Sequence, residues 1–296
     1  MKFKDRLDIY EKLTRLDRPI GILLLLWPTL WGLWLSSNGS PNPFVTVIFV
    51  LGVVLMRSAG CVMNDFADRN FDGHVERTRD RPLAAGKISS REALALAAAL
   101  AGLAFGLVMQ LNTLTVKLSV IALLLAIIYP FLKRFFWLPQ AWLGIAFGFG
   151  VPMAFAAHRE VVVPIAWVIL LANVFWAIAY DTQYAMVDRD DDIKLDLKSS
   201  AILFGRHDVT AVLVCYLLFI CTMIYIGYWA RMGACYFSAM IVTGMLVAVE
   251  YYLFRSRQRD RCFKAFLFNN WIGAAVFAGI VADFVWYLPL FSGPAR

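Results

Sequence analysis

Apolar residues along this chain fall into blocks of about 18 to 22, separated by short charged segments. A helix rises ~1.5 Å per residue, so about 20 apolar residues cross the ~30 Å hydrocarbon core of a bilayer. The pattern therefore predicts an all-α polytopic membrane protein, a bundle of about nine transmembrane helices. The candidate spans are 19–36, 44–63, 92–111, 114–132, 139–157, 162–180, 208–228, 233–253 and 265–288.

Composition supports this class and excludes several others. Of the 296 residues, 61% are hydrophobic and 17% are charged, whereas an ordinary soluble domain carries about 25% charged residues. Such a chain is neither a soluble globular domain, nor disordered, nor a disulfide scaffold. We expect no nucleic-acid partner despite the net charge of +7. The expected surroundings are the lipid bilayer.

The basic residues predict how the chain is oriented, because cytoplasmic loops of membrane proteins carry an excess of Lys and Arg. Of the 28 Lys and Arg residues, 23 fall on one predicted side. They lie in 1–18, 64–91, 133–134, 181–206 and 255–264. We therefore predict a cytoplasmic amino terminus and one transmembrane domain over 1–296. Within it, 1–18 forms a short interfacial helix on the membrane.

An acidic segment follows directly from the second predicted span. Its sequence is NDFADRNFD, residues 64–72. Asn64, Asp68 and Asp72 are spaced i, i+4 and i+8, so on an α-helix they share one face. The segment predicts a helix face lined by oxygen atoms at the cytoplasmic edge of the bundle.

A second acidic segment, DTQYAMVDRDDD at 181–192, follows the sixth predicted span. Tyr184, Asp188 and Asp192 match positions 64, 68 and 72 at a constant offset of 120 residues. Asp181 adds a carboxylate about two turns before Asp188. The match predicts an internal duplication of a functional element, and it places the chemistry in the cytoplasmic connectors 64–91 and 181–206.

Two carboxylate faces brought together repel each other strongly unless a cation lies between them. Mg²⁺ prefers hard oxygen ligands and is usually held by one or two carboxylates together with substrate phosphates. The implied ligand is a Mg²⁺-bound diphosphate. The expected metal ligands are Asn64, Asp68, Asp72, Asp188 and Asp192, and the expected catalytic residues are these four aspartates with Asp181. The alternatives are a solvated acidic surface or the cation site of a transporter, although transport sites usually lie near the bilayer midplane.

Three segments carry a family resemblance: NDFADRNFDGHVERT, YPFLKRFFWLPQ and DTQYAMVDRDDD. They resemble the UbiA superfamily of intramembrane prenyltransferases, and the resemblance extends over essentially the whole chain. The three segments are most similar to the 4-hydroxybenzoate polyprenyltransferase branch. The resemblance implies a Mg²⁺-dependent enzyme of a bacterial inner membrane. It would transfer a polyprenyl group from polyprenyl diphosphate to the ring carbon ortho to the hydroxyl of 4-hydroxybenzoate, in ubiquinone biosynthesis. Branches acting on homogentisate, dihydroxynaphthoate, haem or a chlorin stay as alternatives.

A diphosphate bridged by Mg²⁺ still exposes anionic oxygens, which Arg and Lys satisfy by charge-assisted hydrogen bonds. Tyr129 and Lys133 form a Tyr-x-x-x-Lys pattern that resembles a family motif whose Lys approaches the diphosphate. The candidate diphosphate-binding residues are Arg69, Arg77, Arg81, Tyr129, Lys133 and Tyr184. For the basic residues of the loops, the alternative is positive charge that only orients the chain in the membrane.

Arg57 lies inside the second predicted span, about two turns before Asn64 and on the same helix face. A guanidinium in hydrocarbon costs a few kcal/mol or more, so it needs a partner or a polar cavity. A benzoate carboxylate is one such partner, because Arg can bind it through two parallel hydrogen bonds. A structural acid or backbone carbonyls are the alternative. Arg134 is the competing candidate for the acceptor carboxylate.

Overall fold

The computed structural model describes residues 3–69, 72–74 and 78–287, and this part of the chain is helical without any strand. The helices are α1 (Phe3–Thr14), α2 (Ile20–Ser36), α3 (Pro43–Asp68), α4 (Ser90–Val108), α5 (Thr113–Leu132), α6 (Pro139–Gly148), α7 (Gly150–Arg159), α8 (Pro164–Lys194), α9 (Ser200–Phe204), α10 (Asp208–Trp229), α11 (Ala234–Phe254) and α12 (Arg259–Ala282). Short 3₁₀ turns cover Asp72–His74 and Gly205–His207, and a π-helical turn covers Asp283–Tyr287.

Eight helical segments of the described residues are long and apolar enough to cross a membrane. One of them consists of α6 and α7 together. The all-α polytopic class predicted from the sequence is therefore confirmed, and the chain is a multi-pass membrane protein. The shorter α2 is also apolar, but its 17 residues fall below the ~20 that a straight span needs. The count of nine spans depends on α2 and stays a prediction.

The helix α8 forms the centre of the bundle. Trp176 of α8 packs against Trp31 of α2 and Phe219 of α10, with ring centroids 5.3 and 5.9 Å apart. On another side, α6 approaches so closely that a Cβ atom on Gly144 would lie 2.7 Å from the Cα of Val174. Close packing on several sides fixes the position of α8, which carries the second acidic segment.

Local sequence explains several helix boundaries. Asn42 precedes α3, and its side-chain oxygen accepts a hydrogen bond from the backbone N–H of Phe44 at 2.9 Å. Pro43 then occupies the first turn, where a missing N–H costs nothing. Between α6 and α7 the helix breaks because Pro152 has no N–H to donate to the carbonyl of Gly148.

The amino-terminal segment forms a helix, α1, that packs against the rest of the protein. Its fully buried Leu13 belongs to one apolar cluster with Val62 of α3 and Leu83. The chain leaves this helix at Arg15, whose φ of 59° lies in the left-handed region that commonly ends helices. The end of α1 is thereby held beside the last turns of α3.

The second acidic segment is entirely helical. The 31 residues of α8 span about 46 Å, well beyond the thickness of a hydrocarbon core. Tyr184, Asp188 and Asp192 therefore lie on one helix, as their spacing predicts. The predicted connector 181–206 begins as a continuation of this span and becomes irregular only after Lys194.

The first acidic segment differs, and one expectation about it is wrong. The helix α3 ends at Asp68, and Asp72 lies in a separate 3₁₀ turn, so Asn64, Asp68 and Asp72 do not share one helix face. Contacts from the loop that follows hold this turn instead: the Thr78 hydroxyl donates to the backbone carbonyl of Asp72 at 2.9 Å. Helical spacing alone could not reveal that the helix stops after its second acidic residue.

Candidate active site

Both acidic segments line one cavity of about 440 Å³, which extends into the bundle between α2 and α8. We call its polar part, near the carboxyl ends of α3 and α8, the acidic end. The polar residues of the two acidic segments that line it are Asn64, Asp65, Asp68, Asp72, Asp181, Tyr184, Asp188, Asp191 and Asp192. Two stretches that lie far apart in the sequence thus face a common space.

Asn64 and Asp68 lie on the last two turns of α3. The side-chain oxygen of Asn64 is buried, and no hydrogen bond to it occurs within the described residues. A buried acceptor without a partner costs about 1–3 kcal/mol, so this oxygen is suited to receive a donor or a cation from the cavity. Lys133, Asp72 and Arg81 are among the charged groups that act on the Asp68 carboxylate.

Arg81 brings Asp72 to the cavity although Asp72 lies beyond α3. Its Nη1 is 2.8 Å from Oδ2 of Asp72 and 3.0 Å from Oδ1 of Asp65. Asp65 is only 1% exposed, and Nη2 of Arg15 lies 3.0 Å from its Oδ1. Two guanidinium groups therefore neutralise a buried carboxylate and hold the chain around the first acidic segment.

The second acidic segment is supported by α6. Gln140 accepts a hydrogen bond from the Ser200 backbone N–H at 3.0 Å through its Oε1, and its side chain also hydrogen-bonds to Asp181. One turn further along α8, the ring of Tyr184 packs on Phe266, with centroids 4.7 Å apart. The residues that face the cavity from α8 are thus held by both polar and aromatic neighbours.

Lys133 immediately follows α5 and lines the same cavity as the acids. Burial tends to lower the pKa of Lys133, but Tyr129 and the carboxylates of Asp68, Asp192 and Asp181 outweigh burial and hold this pKa above its ordinary value. The side chain therefore stays a cation at neutral pH. Such a group is suited to bind an anion that enters between the two acidic segments.

Arg57 lines a deeper part of the same cavity, about 16 Å before Asp68 along the axis of α3. Its Nη1 lies 2.6 Å from Sγ of Cys61, and its guanidinium lies 5.8 Å from the centre of the Phe147 ring. Nε of Arg57 is buried, with no hydrogen-bond partner in the described part of the chain. The guanidinium thus keeps donor capacity inside an otherwise apolar region.

Two of the predicted basic residues are placed elsewhere. Over the described residues, Arg69 and Arg134 do not line this cavity. Arg69 donates to the Phe66 carbonyl at 2.7 Å, and Arg134 donates to the Ala67 carbonyl at 2.9 Å, so both bind the last turn of α3. Their roles in binding diphosphate and acceptor stay predictions. Arg77 lies outside the described residues.

The cavity continues from the acidic end between apolar walls. Lining residues on α3 run from Asp68 back to Ile48, a distance of about 30 Å along the helix. Small side chains, such as Ala104 on α4 and Ala122 on α5, leave room for it. The space is long, narrow and apolar, which suits a hydrocarbon chain attached to a group at the acidic end.

Several lining residues were not predicted from the sequence: Arg15, Asp65, Gln140, Tyr180 and Lys198. Asp65 stood inside the first acidic segment, and its position next to Asn64 was an available signal. Lys198 reaches the site because its backbone N–H donates to the carbonyl of Lys133 at 2.7 Å, a contact between segments 65 residues apart. Contacts of that range leave no local pattern in a sequence.

Comparison with known proteins identifies the fold and the family. The chain matches the UbiA prenyltransferase family over residues 25–287. It is 59% identical over 283 residues to a 4-hydroxybenzoate octaprenyltransferase of Nitrosomonas europaea, covering 96% of this chain and 97% of that one. It is also 59% identical over 285 residues to the protein of the same name from Azoarcus sp. strain BH72, covering 96% and 99%.

Solved structures of UbiA homologs have the same fold as this chain. A UbiA homolog from Aeropyrum pernix K1, determined without ligand, superposes with a TM-score of 0.79 at 27% identity, covering 88% of this chain and 97% of that one. A UbiA homolog from Archaeoglobus fulgidus, bound to GPP and Mg²⁺, gives a TM-score of 0.67 at 18% identity, covering 92% and 99%. The resemblance carried by the three sequence segments is therefore confirmed, and the chain belongs to the UbiA prenyltransferase family.

Proposed function

We propose that this protein transfers a polyprenyl group from polyprenyl diphosphate to the ring carbon ortho to the hydroxyl of 4-hydroxybenzoate. The observation that carries the proposal is a single cavity with two acidic segments and Lys133 at one end and about 30 Å of apolar wall behind them. The names of relatives with 59% identity support the same reaction. We place the reaction in ubiquinone biosynthesis, in the inner membrane of a bacterium, with the amino terminus and the acidic end on the cytoplasmic side.

The acidic end fits Mg²⁺ by its donor set, which consists of carboxylate oxygens and the unpartnered side-chain oxygen of Asn64. In the described residues, no three His, Cys, Asp or Glu side chains already converge as a complete metal site. Mg²⁺ is usually held by few carboxylates together with substrate phosphates, so the diphosphate would supply the remaining ligands. The residues that would hold it are Asn64, Asp68, Asp72, Asp188 and Asp192, with Asp181 nearby. Bound Mg²⁺ supplies Lewis acidity that stabilises the departing diphosphate.

The protonated Lys133 binds the diphosphate oxygens and stabilises their charge as the group leaves. Tyr129 and Tyr184 also line the cavity, and they donate hydrogen bonds to the diphosphate. Arg81 contributes positive charge at the same end while holding Asp72. Arg69 and Arg77 complete the set of proposed diphosphate-binding residues.

Arg57 binds the carboxylate of 4-hydroxybenzoate, because its guanidinium keeps an unused donor in the cavity. Arg134, at the last turn of α3, remains the competing candidate. With its carboxylate near Arg57, the acceptor directs its hydroxyl end toward the acidic end, where the allylic carbon of the donor lies. The apolar walls exclude water, which would otherwise intercept the reactive allylic carbon.

Bond making and breaking then balance without a redox partner. The ortho ring carbon forms a bond with the allylic carbon, and the allylic C–O bond breaks with its electron pair leaving on the diphosphate. The ring carbon loses its proton, and aromaticity returns. Because the protonated ring intermediate is very acidic, no strong general base is required.

The experiment is transfer by the purified full-length protein in lipid nanodiscs. Polyprenyl diphosphate, Mg²⁺ and a panel of aromatic acceptors are supplied, and the product mass is read directly. We expect prenylated 4-hydroxybenzoate, no product when EDTA removes the metal, and none from Asp68→Asn or Asp188→Asn. Asp190→Asn is the matched control, since Asp190 belongs to the same segment but is 70% exposed and pairs with Arg259. Wild-type turnover by Asp68→Asn, or transfer to a different acceptor only, would overturn the proposal.

A further inference from the structure

Gly21 of α2 packs directly against the guanidinium of Arg57. A Cβ atom at position 21 would lie 2.7 Å from Cζ of Arg57 and still closer to two of its nitrogens. Both residues line the same cavity. The guanidinium therefore occupies the volume that any side chain at this position of α2 would fill.

A methyl group at position 21 would move Arg57 rather than α2. The helix α2 is anchored by Leu24 and Trp31, which are almost completely buried in the core. Arg57 is held more weakly, because Sγ of Cys61 is a poor hydrogen-bond acceptor and Nε has no partner within the described residues. Displacing the end of a flexible side chain costs less than displacing a packed helix.

Tyr180 of α8 brings a second unused donor to this part of the cavity. Its side chain is 1% exposed and lines the cavity, and no described residue hydrogen-bonds to its hydroxyl. Arg57 is among the charged groups that act on it. Tyr216 is equally buried, yet its hydroxyl donates to Oδ1 of Asn269 at 2.8 Å. Buried hydroxyls normally have such a partner, so the Tyr180 hydroxyl points to a ligand.

We propose that Gly21 and Tyr180 make the acceptor site specific for a carboxylate. Gly21, which has no Cβ, leaves space at the edge of the Arg57 guanidinium formed by Nε and Nη2, and Tyr180 donates to the same carboxylate. This rests on the proposed function, in which Arg57 binds the acceptor. A carboxylate accepts several hydrogen bonds and is attracted by the guanidinium charge. A neutral amide of the same shape loses that attraction. Its NH₂ group also takes the place of one carboxylate oxygen, so it offers fewer acceptors to Arg57 and Tyr180.

The test compares 4-hydroxybenzoate with 4-hydroxybenzamide in the full-length protein. At saturating polyprenyl diphosphate, the ratio of kcat/KM for the acid to kcat/KM for the amide measures carboxylate selectivity. We expect Gly21→Ala and Tyr180→Phe each to lower this ratio by about tenfold, mainly through a higher KM for the acid. The KM for the prenyl donor stays close to that of the wild type.

Three matched variants separate selectivity from damage to the fold. Gly102→Ala makes the same change in α4, where an added Cβ meets nothing within 4 Å. Gly144→Ala places a methyl group against the Val174 backbone, at a position that does not line the cavity. It should therefore lower the Tm without changing the ratio. Tyr216→Phe removes a tyrosine hydroxyl that has a protein partner. It should likewise lower the Tm without changing the ratio.

Equilibrium dialysis of the labelled acid and amide, without the prenyl donor, gives a readout independent of turnover. A preference for the acid that disappears in Gly21→Ala supports the inference even if no transfer to 4-hydroxybenzoate occurs. Retained preference in Gly21→Ala and Tyr180→Phe, or an equal loss of both ligands, overturns it. Failure of the proposed reaction is seen separately, as absence of product in the wild type.

Discussion

Nη1 of Arg81 lies 2.8 Å from Oδ2 of Asp72, a contact between a loop and the short turn that follows α3. Because α3 ends four residues earlier, helical geometry does not place Asp72 in the cavity. Arg81 does so while it also neutralises the buried Asp65. The first acidic segment thus depends on an arginine that lies well outside its own spacing pattern.

Replacing Arg81 by alanine should weaken metal-dependent activity. Without this contact the Asp72 carboxylate loses its fixed position, so we expect the Mg²⁺ concentration for half-maximal activity to rise about tenfold. A Mg²⁺ titration of initial transfer rates measures this. Arg79→Ala is the control, since Arg79 lies in the same loop, is mostly exposed and pairs only weakly with Asp80. An unchanged Mg²⁺ requirement in Arg81→Ala would show that Asp72 is positioned by other contacts.

The sequence predicted the parts of this site that depend on helical periodicity and on the rarity of charge in a membrane. Tyr184, Asp188 and Asp192 repeat along one helix, and Arg57 had to face a cavity or a partner. It could not predict contacts that join distant segments. The Arg15–Asp65 ion pair spans 50 residues, and it exists because α1 folds back on α3.

The same limit applies to Arg134, the competing candidate for the acceptor carboxylate. In the structure, Arg134 donates to the Ala67 carbonyl at the end of α3. The last carbonyls of a helix have no partner within the helix, and a nearby arginine satisfies one of them. Nothing in the residues that surround position 134 specifies which helix end lies beside it.

Arg15→Ala should destabilise the protein and reduce its activity. Asp65 is almost fully buried, so loss of one of its two arginine partners should cost about 1–3 kcal/mol. We expect a lower Tm in thermal unfolding of the detergent-purified protein, together with a reduced kcat/KM. Lys12→Ala leaves both unchanged, because Lys12 pairs with Asp8 on the exposed face of α1. Equal Tm values for Arg15→Ala and the wild type would contradict a structural role of this ion pair.

Asp208→Ala should lower the stability of the protein more than substitutions of the cavity acids do. Asp208 is fully buried, with Arg189 at 2.8 Å and Arg257 at 2.7 Å, and these contacts join α8 to the start of α10. Removal of one partner from a buried ion pair typically costs about 3–5 kcal/mol. We expect a clear fall in Tm for Asp208→Ala and little change for Asp188→Asn. The reverse order in the same thermal-unfolding experiment would mean that the cavity acids, not Asp208, hold α8.

Ala104→Phe should distinguish long from short prenyl donors. Ala104 lines the cavity about 21 Å along α4 from its first residue, Ser90. A phenyl ring there obstructs the space for a long isoprenoid tail, whereas a geranyl tail of two isoprene units is too short to reach it. We expect kcat/KM to fall about tenfold, or about 1.4 kcal/mol of lost tail binding, for octaprenyl diphosphate and to remain unchanged for geranyl diphosphate. Leu103→Phe, one residue away on the exposed face of α4, should leave both donors unaffected. If Ala104→Phe reduced transfer from both donors equally, the tail would not lie along α4, because only a tail that passes Ala104 makes the effect depend on its length.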